Sequence, residues 1–394
     1  MKIALIGNFA SQGGANNLFL REARALASAG CNTSILCDNF SLDSTPRTKN
    51  YVIASLHKMI EPKDSNKQKI ISIIKHISPD IIHFHLITLL QDTSIISEAM
   101  KIAPVIITPH SHQYSCPTVK KIFHRPLTQC PDQWSIKCLM RPYFMHCNHR
   151  HPKKLLGTFR TFLANRKMVK RVTCIIVTCN YMYRMILGAG VPHENIKVVP
   201  PIVNYTDSIP KRDESIVLFA GALHPEKGAL CLMAASQHIR FPHKIWIAGD
   251  GWLFNQLKEI TRERDIDNVN FWGWVSEEKL SDLYKQASVV VMPSLCPETF
   301  GLSGVEALAA GRPVVAFDVG GISEWLLDGY NGFLVPVGNV ELLANRIGQL
   351  LQDPELSNKM GRNGAKFVRK KFSSENHVKG LLSVYEEAIA SFNR

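Results

Sequence analysis

Two hydrophobic rhythms alternate along the chain. Short apolar runs ("KIALIGNF", "NTSILCD", "IIHFH", "PVIITPH", "CIIVTCN") are separated by longer segments whose apolar residues return every three to four positions ("ANNLFLREARALASAG", "QKIISIIKHISPD", "TSIISEAMKIA"). The short runs predict buried strands and the longer ones helices packed over them; Leu18, Ala25 and Leu26 share one stripe of the first helix. Strands alternating with helices specify a parallel, doubly wound α/β sheet. After "IKVVPPIVNYTDSIPKRDES", rich in Pro and polar residues, the rhythm restarts: "SIVLFAGAL", "HKIWIAGDG", "VNFWGWV", "SVVVMPS" and "PVVAFDVGG" as strands, with "EKGALCLMAASQHI", "WLFNQLKEITRERD", "EEKLSDLYKQA" and "GLSGVEALAAG" as helices between them. A second doubly wound domain is expected, as the 394-residue length also favours.

Ligands of open α/β sheets bind beyond the carboxyl ends of the strands, so the loops there carry the candidate chemistry, and two facing sheets would make a cleft. Gly13 and Gly14 form a strand-to-helix turn that lets backbone N–H groups approach a phosphate, although a plain tight turn fits the pair equally. The surrounding sequence is neither a GxGxxG fingerprint nor a Walker loop. Lys227, in "GALHPEKG", stands where a helix begins, a poor place for a cation unless it serves an anion; a lysine facing solvent is the alternative. His110 and His112 follow an apolar strand, and His83 and His85 end another. Only His110, first out of its strand, is assigned a role; the others read as satisfied polar groups.

Glu298 and Glu306 lie eight positions apart in "CPETFGLSGVE". A mostly helical interval of that length rises about 12 Å, beyond the roughly 5 to 9.5 Å between glycosidase carboxylates. The two are expected to hold opposite ends of a ligand with hydroxyls at both ends and phosphates between, the shape of a nucleotide sugar.

Charge refines this picture. Residues 1 to 203 carry 26 Lys+Arg against 10 Asp+Glu, a net of +16, whereas residues 204 to 394 carry 20 against 23, a net of −3. Residues 116 to 171 alone hold 13 basic residues and one acid, Asp132. So local an excess points to an anionic partner rather than to a merely solvated face. The same stretch holds Cys116, Cys130, Cys138 and Cys147 at spacings of 14, 8 and 9, without a CxxC pair, so zinc ligation and free thiols both remain open. Cys31, Cys37, Cys174, Cys179, Cys231 and Cys296 lie in or beside apolar runs and are expected as buried thiols. "DID" at Asp265–Asp267 ends a helix rather than following a strand and reads as surface charge. No apolar run approaches the ~18 residues of a membrane-spanning helix, and "MKIALIGNFASQGG" lacks a cleavage site, so the expected location is cytoplasmic, at most peripheral on the inner face of the membrane.

The pieces "GGAN", "PDIIHFH", "TPH", "VTCN", "IKVVPPIVN", "VLFAGALHPEKG", "WIAGDG", "VNFWGWV", "PETFGLSGVEALAAGRPVVAFDVGGISEWLLDGYNGFLVP" and "FSSENHVKGLLSVYEEAI" resemble the retaining glycosyltransferases of family 4 (group 1), of GT-B fold. The resemblance covers nearly the whole chain, and its EX7E element is highly specific. It implies two facing Rossmann-like domains with a cleft between them. These are an acceptor-side domain over 1–200 with a basic, Cys-rich insert at 116–171, and a nucleotide-sugar-binding domain over 205–372. A terminal helix over 373–394 would pack back toward the first domain.

It further implies that Glu306 holds the donor ribose and Glu298 the transferred sugar. Phe300, Gly301 and Leu302 would offer backbone contacts, and Lys227 with Gly13 and Gly14 would hold the phosphates. Val275 would pair its backbone with the base, and His110 would contact the sugar and stabilise the transition state. The nucleotide sugar is a co-substrate, and the family needs no divalent metal or other cofactor. Family members often have arginine where Ala222 stands here, which shifts the diphosphate charge onto Lys227 or another basic residue. The expected reaction is transfer from a UDP-sugar to a lipid-linked or otherwise anionic glycan, with an anionic membrane as a further partner and no nucleic acid. The competing expectations are a nucleotide-sugar 2-epimerase of the same architecture and a lipid- or nucleic-acid-binding module; against nucleic acid, the basic stretch lacks an aromatic-rich groove for stacking on bases.

Overall fold

The computed structural model describes residues 1–7, 13–37, 48–52, 64–205, 215–264 and 266–392. Asp265 of the "DID" element and most of the loop before Gly13 lie outside the described residues. The chain separates into two compact units: Met1–Pro126 with Cys130–Ile202 and Ser374–Arg394, and Leu127–Gln129 with Val203–Ser373.

In the first unit, β1 (Lys2–Gly7), α1 (Gly14–Ser28), β2 (Asn32–Cys37), β3 (Thr48–Val52), α2 (Asp64–Ile77), β4 (Ile81–Leu86), α3 (Ser94–Ala99) and β5 (Val105–Pro109) follow in order. The chain then runs through β6 (Ile122–His124), β7 (Leu127–Gln129, grouped with the second unit), α4 (Arg141–Met145) and α5 (Pro152–Val169). It returns to the sheet with β8 (Cys174–Val177), α6 (Asn180–Leu187) and β9 (Ile196–Val198). The seven-stranded sheet has the order β3-β2-β1-β4-β5-β8-β9 and its recorded pairs are parallel. Because helices cover both faces, β4 and β5 are buried along their whole length, His83 and His85 included.

The second unit runs β10 (Ile216–Ala220), α7 (Ala229–Ser236), β11 (Lys244–Ala248), α8 (Phe254–Glu263), β12 (Val269–Gly273), α9 (Glu277–Gln286) and β13 (Val289–Met292). It continues with α10 (Leu302–Ala309), β14 (Val314–Phe317), β15 (Gly332–Val335), α11 (Val340–Gln352) and α12 (Pro354–Lys371). Its six parallel strands are ordered β12-β11-β10-β13-β14-β15. The last helix, α13 (Ser374–Phe392), belongs to the first unit, where Gly380 faces Val199.

Both sheets reverse their winding once, between β1 and β4 and between β10 and β13. At these switch points two strand-end loops diverge and leave room for a ligand. The basic stretch over 116–171 divides in two. Its last third is α5, which starts at Pro152 and buries Leu155, Phe159, Phe162, Met168 and Val169. Asn165 clamps this helix by accepting from Leu90 N at 3.0 Å and donating to Leu90 O at 2.7 Å. Apolar residues three and four apart make it a core-facing helix whose lysines lie on the other side.

Candidate functional site

In the second unit the switch point brings Lys227 and Glu298 together. Lys227 closes a 3-10 turn after β10, just ahead of α7 rather than on its first turn. Gly228, at φ +75, starts that helix, and a Cβ there would collide with Pro293 O, so only glycine fits. Glu298 lies in the loop after β13. Its Oε1 accepts from Lys227 Nζ at 2.7 Å and from Ser294 Oγ at 2.6 Å, while its carbonyl accepts from Gly321 N at 2.9 Å. Gly320 packs so closely on this backbone that a Cβ there would overlap Glu298 O. Burial pulls the Lys227 ammonium down, but the Glu298 charge, with Cys296 and Glu226 nearby, more than offsets it, so the lysine is held above its ordinary value.

Gly301, at φ +88, is the N-cap of α10, and Leu302 is its first residue. Phe300 is buried, and its carbonyl accepts from Trp325 Nε1 at 2.6 Å. Glu306 lies in the second turn of α10, with Tyr284 Oη donating to its Oε2 at 3.4 Å. Only the second half of the Glu298–Glu306 interval is therefore helical. Val275 stands two residues beyond β12, half-buried, next to the Ser276 cap of α9.

In the first unit, Gly13 caps α1 in an extended conformation that any residue adopts, and a Cβ on it would meet nothing within 4 Å. Nothing within the unit demands glycine there. His110 follows β5, and its Nε2 lies 3.1 Å from His85 Nδ1. Burial, then the charge of His85, presses the His110 ionisation down to about 3. His83 and His85, adjacent on one face of β4, meet Glu22 of α1, with His85 Nε2 3.1 Å and His83 Nδ1 3.3 Å from Oε1. His377 and Tyr385 of α13 complete the cluster, His377 Nε2 at 3.2 Å from Glu22 Oε2 and Tyr385 Oη at 2.7 Å from His83 Nδ1. Burial pushes the Glu22 carboxyl up, yet His85, His377 and His83 together hold it well below the usual range.

His83 and His85 are satisfied polar groups, as the sequence suggests, but satisfied by one shared carboxylate that sequence reasoning missed. Among the described residues, Glu22, His83 and His85 are the one group of three metal-capable side chains whose ligand atoms all lie within 4.8 Å of one another. The cysteines at 116, 130, 138 and 147 are half-buried free thiols. Burial and the neighbouring thiols push Cys147 up to about 11, and Arg141 donates to Cys130 Sγ at 3.6 Å. Of the six thiols expected to be buried, five are; Cys231, on α7, is half-buried.

The Glycosyltransferase Family 4 model matches residues 12–207 and the Glycosyl transferases group 1 model residues 205–367. An uncharacterized glycosyltransferase of Methanocaldococcus jannaschii is 36% identical over 175 residues, 44% of this chain and 49% of that one. A D-inositol 3-phosphate glycosyltransferase of Streptomyces bingchenggensis is 32% identical over 195 residues, 46% of this chain and 42% of that one. The chain thus spans about half the length of the curated relatives it matches. In structure, sucrose-phosphate synthase of Thermosynechococcus elongatus superposes with a TM-score of 0.73 at 20% identity, covering 99% of each chain. HepE of Anabaena, in complex with UDP and glucose, superposes with a TM-score of 0.72 at 19% identity, covering 98% of this chain and 99% of that one.

Two parallel α/β domains of this topology define the GT-B fold. The chain belongs to the family 4, group 1 glycosyltransferases.

Proposed function

We propose that the protein transfers a sugar from a nucleotide diphosphate sugar, with uridine as the base, to a lipid-linked or cell-surface glycan, with retention of anomeric configuration. The observation that carries this reading is the Lys227–Glu298 pair at the switch point between β10 and β13. A diphosphate arriving there competes for Lys227 and releases Glu298 to accept hydrogen bonds from sugar hydroxyls. The backbone of Phe300, Gly301 and Leu302 and the start of α10 supply N–H groups beside it. Glu306, steadied by Tyr284, takes the ribose, and Val275 offers its backbone to the base.

The Gly13–Gly14 turn gives room for the phosphates, and His110 meets the transferred sugar. Attack on the face of departure lets the leaving diphosphate take the acceptor proton. Lys227 and the loop amides carry the phosphate charge, so the reading uses no divalent cation. The choice of uridine rests on similarity to structures that hold UDP.

The acceptor reading rests on the surface of the first unit. Ile136 (74% exposed), Met140 (58%) and Phe144 (71%) stand out from the segment around α4, and Leu156 and Leu163 from α5. Exposed Lys137, Arg150, Lys153, Lys154, Arg160 and Lys167 belong to the same segments. Apolar side chains flanked by cations suit an anionic bilayer surface, where each Lys or Arg contributes about 1 kcal/mol. No described helix is long and apolar enough to cross a membrane.

The test is incubation with a panel of nucleotide sugars, with and without lipid-linked acceptor. Acceptor-dependent nucleotide release with an unchanged anomeric configuration supports the reading. Donor isomerisation without acceptor identifies an epimerase instead, and binding to lipid without turnover identifies a binding module.

A further inference from the structure

Four of the ten cysteines gather in the short stretch that follows the His110 loop, all in the first unit. Each comes from a different local structure. Cys116 opens a turn, its N donating to His112 O at 2.8 Å and its carbonyl accepting from Val119 N at 3.1 Å. Cys130 N donates to Lys121 O at 2.9 Å, which sets it beside the start of β6. Cys138 lies in the 3-10 turn Ile136–Leu139, and Cys147 stands two residues beyond α4. Arg125 N donates to Met145 O at 3.3 Å and so ties the end of α4 to the residues after β6. One sulfur feels all the others: burial raises the Cys147 thiol first, and the charges of Cys116, Cys130 and Cys138 raise it further.

This stretch has little core of its own. Among its described residues, 116 to 151, the buried apolar side chains are Pro117, Ile122, Phe123 and Pro142, and the 3-10 turn buries none. Trp134 seats its middle on Phe159 and Phe162 of α5, which leaves the two ends to be tied. Segments below about 40 residues with so small a core are commonly held by disulfides or a metal, and these four thiols are free. The charge also suits an anionic centre. Residues 116 to 151 carry six Lys+Arg against one acid, Asp132. Buried Lys121 donates from Nζ to Asp132 O at 2.6 Å, and Arg141, paired with Asp132, donates from Nη1 to Cys130 Sγ at 3.6 Å. A divalent cation on four thiolates leaves two negative charges, and N–H donors aimed at the sulfurs steady such a centre.

We propose that Cys116, Cys130, Cys138 and Cys147 form a structural site for one zinc ion, bound as four thiolates whose protons are released on binding. An all-sulfur, four-ligand set is the donor chemistry of structural zinc. It leaves no open position for substrate, so the ion braces the loop after His110 and takes no part in transfer. Among the described residues, no three of these sulfurs lie within 4.8 Å of one another, whereas Zn–S bonds of about 2.3 Å put tetrahedral ligands about 3.8 Å apart. Binding therefore draws the four segments inward, and the order of the stretch is coupled to the metal. The Glu22, His83 and His85 group is more compact, but it is 0 to 4% exposed and both nitrogens of His83 are already engaged by Tyr385 and Thr108.

The experiment loads the full chain with Zn²⁺ under reducing conditions, removes loose metal by gel filtration, and measures zinc by mass spectrometry. One ion per chain is expected. Replacing it with Co²⁺ should give thiolate-to-metal charge transfer and the strong d–d bands of a tetrahedral site. Bound zinc should shield Cys116, Cys130, Cys138 and Cys147 from iodoacetamide, mapped by peptide mass, while half-buried Cys231 alkylates equally with and without metal. Cys138→Ser and Cys147→Ser should each weaken zinc retention by at least roughly tenfold, the least that losing even an outer partner of a ligand costs; Cys231→Ser and Glu22→Gln should retain it. No retained zinc, retention that survives both serine variants, or zinc lost in Glu22→Gln would each overturn the proposal. So would a pair of disulfides among the four cysteines, or iron with acid-labile sulfide in their place. The cobalt spectrum and the shielding pattern of the unaltered chain decide the site even if the serine variants fail to fold. None of these readouts uses glycosyl transfer, so this site and the proposed reaction fail separately.

Discussion

Each unit of this protein holds a carboxylate gripped by nitrogen-bearing side chains, histidines around Glu22 and a lysine at Glu298, and the two groups differ in access. Around Glu22 the side chains are 0 to 4% exposed, and each oxygen and ring nitrogen is held by an interior partner. At Glu298 the carboxylate is 12% and its lysine 32% exposed, on loops that leave the sheet where its winding reverses. A closed pair has nothing to exchange with and can only fix geometry and proton positions. A half-open pair can trade its internal partner for a ligand at small cost, because the lysine keeps an anion either way.

That contrast is broken most severely by removing the closed carboxylate. Glu22→Ala leaves histidine nitrogens unpaired in the interior and is expected to cost about 3 to 5 kcal/mol of stability, measured by urea unfolding. A loss under roughly 1 kcal/mol would mean that the cluster is not a charged network. The open pair should behave in the opposite way. Glu298→Ala or Lys227→Ala is expected to change stability by less than about 1 kcal/mol yet lower turnover by roughly 10² to 10³-fold, read as nucleotide release at saturating donor. If either variant unfolds the protein while Glu22→Ala does not, the assignment of roles is inverted.

Acid probes the closed cluster without mutation. His83 and His110 ionise in the folded protein only at about 4 and about 3, against 6.5 for the ordinary group. The unfolded chain therefore binds protons first as pH falls. Their contribution is complete above pH 6.5 and declines from there toward pH 4, by up to about 1.4 kcal/mol per unit and group. Glu22, held below its ordinary value of 4.5, adds to the loss only below about that pH. Thermal unfolding midpoints between pH 8 and pH 5 check this, and a midpoint that rises on acidification contradicts it. The smallest effect belongs to the surface: reversing Lys153, Lys154 or Lys167 should weaken binding to anionic vesicles by about 1 kcal/mol each, roughly fivefold, in a sedimentation assay. Phe144→Glu should act in the same direction, and neither should alter donor affinity.

The two regions were unequally legible from the amino-acid order. Glu298 and Glu306 lie in one continuous stretch after an apolar strand, and Lys227 in a short loop after another, so local sequence displays both their chemistry and their place at strand ends. The partners that position them, Ser294 and Tyr284, are ordinary residues whose hydroxyls matter only once the loop and α9 are folded. Glu22 reads as one polar residue in an amphipathic helix, and its partners lie 63 and 355 residues away. The alternation of "HFH" does place His83 and His85 on one strand face, a signal that a buried acceptor must exist without saying which. The helix α5 was obscured for a different reason. Its lysines and arginines dominate the composition, while Leu155, Phe159 and Phe162 carry the spacing that seats it on the core.

The most direct test of the central claim is nucleotide release from UDP-sugars by the unaltered protein and by Glu298→Ala, assayed side by side with and without a lipid-linked glycan. The account predicts release that depends on acceptor, yields a product with the donor's anomeric configuration, and falls at least 10²-fold in the variant. Release that ignores the acceptor, or that proceeds equally well without the Glu298 carboxylate, would contradict it.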